Sequence, residues 1–187
     1  MKWLSYRVFR LLGWRFEGEV PDIPKMVIIG APHTSNWDFF LYLAALHHYR
    51  IRTHFLAKHS LFRWPFGIWF RVMGGIPVDR ARAGGIVRQV REQFHARARM
   101  ILVIAPEGTR GKAEMWKSGF LKIAEASDVP VVLASVDYPI KTLTMGPAID
   151  VGRDRMAVMD ELRAFYAGKK GRHASQQGPV RVAQERS

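Results

Sequence analysis

Short apolar runs alternate with amphipathic segments along most of the chain. The runs with the length and β-branched composition of buried strands are 25–30, 53–57, 75–78, 100–105 and 129–136. The segments between them that predict helices are 37–49, 85–99, 119–126 and 153–166, with a partly helical aromatic stretch at 60–73. This alternation predicts a single α/β domain, with a mainly parallel central sheet flanked by helices.

The first 16 residues predict an N-terminal amphipathic helix. Leu4, Val8, Leu11 and Leu12 fall on one face at helical spacing, and aromatic and arginine side chains group on the adjoining face. Aromatic rings beside arginines suit a lipid headgroup region, but an aliphatic stripe also suits packing on the domain. Both interpretations stay open, since one helix can serve both purposes.

Composition changes define three sections of the chain. Residues 1–24 form the expected membrane-surface helix and a turn-rich connector, and 25–168 form the folded domain. Residues 169–187 are rich in Gly, Lys, Arg, Ser and Gln, and predict a basic, disordered tail.

The chain is strongly basic, with 29 Lys and Arg against 16 Asp and Glu and a net charge of +13. This balance favours anionic partners: nucleic acid, anionic lipid or phosphorylated small molecules. The absence of cysteine excludes disulfides, thiolate metal sites and cysteine nucleophiles. No apolar run reaches the roughly 18 residues that span a bilayer, and no secretory signal is expected. A membrane partner would therefore be met at its surface.

His33 and Asp38 lie where the apolar run at 25–30 gives way to a helical segment. Ligands of open α/β sheets bind outside the carboxyl ends of the strands. A neutral imidazole there can take a proton from a hydroxyl, while a carboxylate on its other nitrogen fixes the tautomer. Alternatively, Asp38 only caps the helix. The pair alone leaves both possibilities open.

Two further motifs follow apolar runs in the same way. In the motif 105–110, Gly108 permits close backbone approach, Thr109 offers a hydroxyl and Arg110 offers a planar fork suited to phosphate. The stretch from Gly75 to Arg80 contributes another cation after a short strand. Taken singly, each is also compatible with an ordinary turn that carries a surface arginine.

Together, in this order and spacing, the motifs resemble those of the glycerolipid acyltransferase family, which includes bacterial 1-acyl-glycerol-3-phosphate acyltransferases. The matching positions are His33 with Asp38, Gly75 to Arg80, Pro106 to Arg110, Lys117 to Gly119, and Val129 with Pro130. The resemblance covers 25–136, which is most of the chain.

The resemblance implies transfer of a fatty acyl group from acyl-CoA or acyl carrier protein to a hydroxyl of a lysophospholipid-like acceptor such as 1-acyl-glycerol-3-phosphate. It implies that His33 acts as the general base and that Asp38 orients it. The residues that it assigns to the acceptor are Glu107, Gly108, Thr109, Arg110, Arg80 and Lys58. No cofactor is expected, and the histidines show no convincing metal-ligand spacing.

Other classes of function remain as alternatives. A basic nucleic-acid-binding protein fits the charge, but the chain has no recognised nucleic-acid motif, so we expect no nucleic-acid partner. A non-catalytic lipid-binding protein and a lipid or thioester hydrolase are also possible. The acyltransferase hypothesis places the chain peripherally on an anionic membrane surface, at the cytoplasmic face of the cell membrane.

Overall fold

The computed structural model describes residues 1–63, 67–79 and 85–183 as a central sheet with helices on both faces. The strands are β1 (Arg15–Glu17), β2 (Lys25–Ala31), β3 (His54–Lys58), β4 (Gly75–Val78), β5 (Met100–Ile104), β6 (Val131–Asp137) and β7 (Thr142–Ile149). The helices are α1 (Lys2–Leu11), α2 (Trp37–His48), α3 (Gly67–Val72), α4 (Gly85–His95), α5 (Gly119–Ser127) and α6 (Arg155–Tyr166). Short 3₁₀ turns occupy His59–Phe62 and Ala174–Gln176.

The sheet has the strand order β1-β7-β6-β2-β5-β3-β4. The five strands from β6 to β4 in this order run parallel to one another. Only β7 and its neighbour β1 run the other way, because β6 and β7 form an antiparallel pair. The structure thus confirms the predicted α/β domain with a mainly parallel sheet flanked by helices.

Strands β1 and β7 were not predicted from the sequence. The β6–β7 pair is closed by a tight turn, in which the Lys141 N–H donates to the Tyr138 carbonyl at 3.1 Å. Within β7, Gly146 and Pro147 interrupt the β-branched pattern that marks the other strands. The pairing with β6 overrides this weak local signal, as tertiary context commonly does for strands.

One face of the sheet is filled by α4, α5 and α6. Alternate residues of β2 (Val27, Ile29 and Ala31) point to this side, since successive side chains of a strand point to opposite faces. They pack in one cluster with Phe94 of α4 and Leu121 of α5. This face is therefore a continuous hydrophobic core.

The opposite face is covered by α1 and α2. Met26 and Ile28 of β2 point to this side, and α2 contributes the buried residues Leu41 and Ala44. This cover is less complete than the filled face, and a pocket remains between α2 and the sheet.

Helix α1 is shorter than the predicted helix over 1–16. It ends at Leu11, followed by Gly13 in the left-handed region at φ +84°. It packs through Phe9, whereas the predicted aliphatic stripe is exposed, with Leu11 at 86% and Leu4 at 59%. The stripe is therefore left free for a partner other than the domain itself.

The end of the chain differs from its predicted disorder. Residues 169–183 follow a defined path across the carboxyl edge of the sheet, where the Tyr138 N–H donates to the Lys170 carbonyl at 2.9 Å. Farther on, the Trp116 N–H donates to the Arg181 carbonyl at 2.7 Å. Backbone hydrogen bonds hold the polar part of this segment, and farther on Val182 is buried in the main core cluster with Val180 packed against it. Apolar residues are few in this segment, which explains why its composition suggested disorder.

Candidate active site

The loop between β2 and α2 carries the predicted histidine. Strand β2 ends at Ala31 and α2 begins at Trp37, so His33 lies at the carboxyl edge of the sheet. The motif at 105–110 follows the neighbouring strand β5 and reaches the same edge. Parallel strands thus bring together two motifs that are more than 70 residues apart in sequence.

His33 and Asp38 form a hydrogen-bonded pair. The Nδ1 atom of His33 lies 3.1 Å from Oδ2 of Asp38. With Nδ1–H donating to the carboxylate, Nε2 is left without a proton and can accept one. The imidazole is 30% exposed, whereas the carboxylate is only 7% exposed. The geometry therefore offers a base that substrate can reach and a carboxylate that is sheltered from water.

Asp38 is held by more than the imidazole. Its Oδ2 also accepts hydrogen bonds from the backbone N–H of Thr34, at 3.0 Å, and of Ser35, at 2.9 Å. Burial alone would raise the pKa of Asp38, but hydrogen bonds from His33, Tyr138 and Ser35 together keep that pKa below its ordinary value. The carboxylate is thus charged and fixed in direction.

Tyr138 is a member of the site that the sequence interpretation missed. Its hydroxyl donates to Oδ1 of Asp38 at 2.5 Å. Burial and the neighbouring carboxylate of Asp38 raise the pKa of Tyr138 well above its ordinary value, so the phenol keeps its proton. Its position directly after β6 could have indicated a place in the site, since the carboxyl ends of neighbouring parallel strands meet at one edge of the sheet.

Glu107 lies beneath the histidine loop. It is 4% exposed, and its Oε1 accepts a hydrogen bond from the backbone N–H of His33 at 2.9 Å. Its Oε2 is buried and has no hydrogen-bond partner among the described residues. Burial raises the pKa of this carboxyl. In this structure Glu107 thus braces the His33 backbone, a contact that the sequence did not predict.

The last three residues of this motif, Gly108, Thr109 and Arg110, are exposed. Gly108 adopts φ +66°, and a side chain there would meet Lys117, so glycine suits the position. The hydroxyl of Thr109 accepts a hydrogen bond from the Gly111 N–H at 3.2 Å. Arg110 is exposed and lines the pocket together with His33. Of these residues, Arg110 is the cation that the fold brings to the histidine.

Two predicted residues remain, Lys58 and Arg80. Lys58 is exposed at the carboxyl end of β3 and does not line the pocket. Arg80 lies outside the described residues. Within 1–63, 67–79 and 85–183, no three His, Asp or Glu side chains come together in a way that could hold a metal ion.

A pocket of about 350 Å³ opens beside His33 and extends between α2 and the sheet. Its lining is mostly apolar, and small residues such as Gly30 and Ala134 leave the space open. The residues that α2 contributes run from Asp38 to Leu46, and Tyr49 follows directly after the helix. At 1.5 Å rise per residue, the stretch from Asp38 to Tyr49 is roughly 16 Å long. The shape fits a slender apolar ligand with its reactive end at His33.

Comparisons with known proteins identify the family and a similar fold. The model of the Acyltransferase family matches residues 15–136, while no curated protein sequence matches the chain. The fold is similar to a crystal structure of the 1-acyl-sn-glycerophosphate (LPA) acyltransferase PlsC from Thermotoga maritima, with a TM-score of 0.58 and 24% identity. That similarity covers 81% of this chain and 68% of the other. Because the family model spans well over half of the residues and includes both motifs of the site, the chain belongs to the Acyltransferase family.

Proposed function

We propose that the chain moves a fatty acyl group from acyl-CoA or acyl carrier protein to a hydroxyl of a lysophospholipid-like acceptor, such as 1-acyl-glycerol-3-phosphate. Membership of the Acyltransferase family supports an acyl transfer. The observation that carries the finer proposal is the His33–Asp38 pair at the mouth of a pocket with an apolar lining. A base beside an apolar pocket of this shape suits an acyl chain whose carbonyl lies near the imidazole.

His33 is the general base of the proposed reaction. Its Nε2 takes the proton of the acceptor hydroxyl, and the oxygen attacks the carbonyl carbon of the thioester. Asp38 stabilises the imidazolium that forms, without taking the proton itself. Collapse of the tetrahedral intermediate breaks the C–S bond, and the thiolate leaves with the proton that His33 carries. The histidine returns to its neutral state, ready for another acceptor.

The pocket is the proposed binding site of the acyl chain. Burying a methylene group contributes about 0.8 kcal/mol, so an apolar lining favours a long chain over a short one. Helix α2 forms the outer wall, and Tyr49 and Ile51, which follow the C-terminal end of α2, also line the pocket together with Met145 of β7. The acyl chain would thus lie along the sheet, with its thioester at the carboxyl edge.

Cations at the same edge are the proposed binding groups for the acceptor. Arg110 lines the pocket mouth, and its planar guanidinium suits a phosphate group. Arg80 and Lys58 would assist, together with Gly108 and Thr109. A phosphorylated acceptor is favoured by this charge, and the similar Thermotoga maritima structure is described as an LPA acyltransferase.

An anionic membrane surface is the proposed location, peripheral and on the cytoplasmic side. Helix α1 exposes Trp3, Leu4 and Leu11 close to basic residues such as Arg7, and α3 exposes Trp69. Such a surface suits a lipid interface. No helix among the described residues is long and apolar enough to cross a membrane.

Vesicle sedimentation tests this location. We expect tighter binding to anionic than to neutral vesicles, and weaker binding as salt is added, because each basic residue near the surface supplies about 1 kcal/mol. Leu11→Glu on the exposed face should weaken binding without unfolding the domain. Equal binding to anionic and neutral vesicles would contradict the electrostatic part of the proposal.

A transfer assay tests the reaction itself. Radiolabelled acyl-CoA and acyl carrier protein are each supplied with a panel of lysophospholipids, with and without a phosphate monoester headgroup. We expect labelled diacyl product, and His33→Ala should lower its rate by ~10²–10⁴-fold while the fold stays intact. Release of free fatty acid alone would identify a hydrolase instead, and a folded His33→Ala variant with full activity would refute the proposed base.

A further inference from the structure

Residues 169–177, named the C-terminal strap here, cross the carboxyl edge of the sheet beside the candidate active site. At its start, the Lys170 carbonyl accepts a hydrogen bond from the Tyr138 N–H at 2.9 Å. The strap is braced internally by Gln177, whose side chain donates to the Lys169 carbonyl and accepts from the Gly171 N–H. The strap therefore has a defined conformation and is hydrogen-bonded to Tyr138, which contacts Asp38.

The middle of the strap packs on Thr34, which follows His33. The His173 N–H donates to Oγ1 of Thr34 at 3.1 Å. Gly171 is buried against the same side chain, and a Cβ atom there would stand 2.5 Å from Oγ1 and 2.9 Å from Cγ2 of Thr34. Only glycine allows this approach, because ordinary contacts between heavy atoms need about 3.5 Å or more.

Gln176 joins the two loops of the site. With its amide nitrogen turned toward the loops, it donates to the Arg110 carbonyl at 2.8 Å and to the Thr34 carbonyl at 3.2 Å. The backbone that carries Arg110 is thus connected through one side chain to the backbone that follows His33.

The hydrogen bonds of Thr34 show how the strap reaches the reacting groups. Its N–H donates to Oδ2 of Asp38, the same oxygen that lies 3.1 Å from Nδ1 of His33. Its hydroxyl and carbonyl are bonded to the strap. A shift of the strap therefore moves Thr34, and with it the alignment of imidazole and carboxylate.

We propose that the C-terminal strap is a working part of the active site, in which Gly171, His173 and Gln176 are positioning residues that act through Thr34 on the His33–Asp38 pair. The inference rests on the proposed function, since it assigns the strap to that reaction. The strap does not touch the reacting atoms. It fixes the distance between the base and the loop that carries Arg110.

The test uses the full chain and a double-mutant cycle. Gly171→Ala forces Thr34 to move, and we expect kcat to fall roughly 10- to 100-fold, since a misplacement of about 1 Å in an active site costs that much. The donor KM should change by less than about twofold, because the acyl pocket is not touched. Thr34→Ala removes the two atoms closest to the new methyl group and leaves only Cγ of Pro32, at 3.3 Å. Adding Gly171→Ala to Thr34→Ala should therefore cost much less than it does in the wild-type protein.

Two other variants complete the experiment. Gly152→Ala, in a distant loop where a Cβ atom meets only Asp150 at 3.3 Å, is the matched control and should keep the wild-type kcat. Gln176→Met keeps the length of an exposed side chain but removes both donated hydrogen bonds. It should fold normally and lower kcat by roughly 3- to 10-fold, the equivalent of about one net hydrogen bond.

The outcomes separate the two proposals. Wild-type protein that transfers no acyl group overturns the proposed function, and this inference falls with it. Active wild-type protein with full kcat in Gln176→Met overturns the inference alone. So does a Gly171→Ala loss that is simply additive with that of Thr34→Ala, because the clash would then act on stability and not through the histidine loop.

Discussion

The face of the sheet under α4, α5 and α6 is filled with side chains, whereas the face under α2 encloses a pocket of about 350 Å³. Both faces are built from the same strands. On β2, Ile29 and Ala31 enter the core, while Ile28 and Gly30, which alternate with them, line the pocket. The difference lies in side-chain volume at alternate positions, because a glycine or alanine facing α2 leaves space that a leucine would occupy.

This comparison separates stability from chemistry. Filled cores supply most of the free energy of folding, and an apolar void forgoes dispersion contacts. The protein leaves that void where the carboxyl edge of the sheet presents His33 and Asp38. We therefore expect substitutions on the filled face to change the free energy of unfolding, and substitutions on the pocket face to change activity.

Leu121 on α5 offers the largest expected effect on the filled face. It is fully buried in the main core cluster. Leu121→Ala should lower the free energy of unfolding by about 2–5 kcal/mol, from lost burial and the cavity that remains. Chemical denaturation measures this change. The activity per folded molecule should stay the same. A lower kcat in the folded variant would contradict the expectation that the filled face affects stability and not activity.

Gly30 and Ala31 test the comparison on adjacent residues. A Cβ atom at Gly30 meets nothing within 4 Å, because the space beyond it is the pocket. Gly30→Val should leave stability intact but lower the rate with long-chain donors by roughly 10- to 100-fold, as expected for a steric misfit of about 1–3 kcal/mol. Acetyl-CoA should be much less affected. Kinetics over a series of donor chain lengths measure the effect.

Ala31→Val is the matched control for that experiment. Its side chain enters the filled face, where an added volume should cost about 1–3 kcal/mol of stability without selecting among chain lengths. Equal losses for all donors in Gly30→Val would mean that the pocket does not hold the acyl chain.

Tyr138→Phe gives the smallest expected effect and refines the pocket face. It removes one hydrogen bond to Asp38 but leaves those from Thr34 and Ser35. We expect kcat to fall by roughly 3- to 10-fold. This is less than the full ~1.5–3 kcal/mol of a hydrogen bond to a charged group would give, because the hydrogen bonds from Thr34 and Ser35 still hold the carboxylate. The lost bond also lets the pKa of Asp38 rise. Because Asp38 works as the carboxylate, the acid limb of the pH–rate profile should move to higher pH.

An unmoved profile would show that Tyr138 has only a packing role.

The core strands are predictable because their β-branched runs are buried on both sides, which leaves a signal in the sequence itself. Strand β7 is not, since Gly146 and Pro147 weaken that signal and the pairing with β6 creates the strand. The ordered path of the C-terminal strap could not be predicted from the sequence for a related reason. Its polar residues satisfy backbone groups of other loops, and no local pattern reveals a partner that lies far away in sequence.

The site divides in the same way. His33, Asp38 and Arg110 are recognisable from motif spacing, and the fold brings them to one pocket. The contacts of Tyr138 with Asp38 and of Glu107 with the His33 backbone each join loops that follow different strands. They therefore depend on which strands are neighbours in the sheet. The pocket could not be predicted from the sequence, because the sequence pattern does not distinguish an alanine that lines a void from an alanine that packs in a core. The role of Arg80 stays a prediction.

Helix α2 has two functions, since Asp38 lies in its first turn while residues from Phe39 to Leu46 line the pocket. A ligand that packs fully against this helix also fixes the position of the Asp38 carboxylate, which orients His33. Free energy gained along the chain can then be used at the carbonyl, where it lowers the barrier instead of tightening the complex. We expect such an enzyme to hold short and long donors with similar affinity and yet to turn over the well-fitting chain much faster.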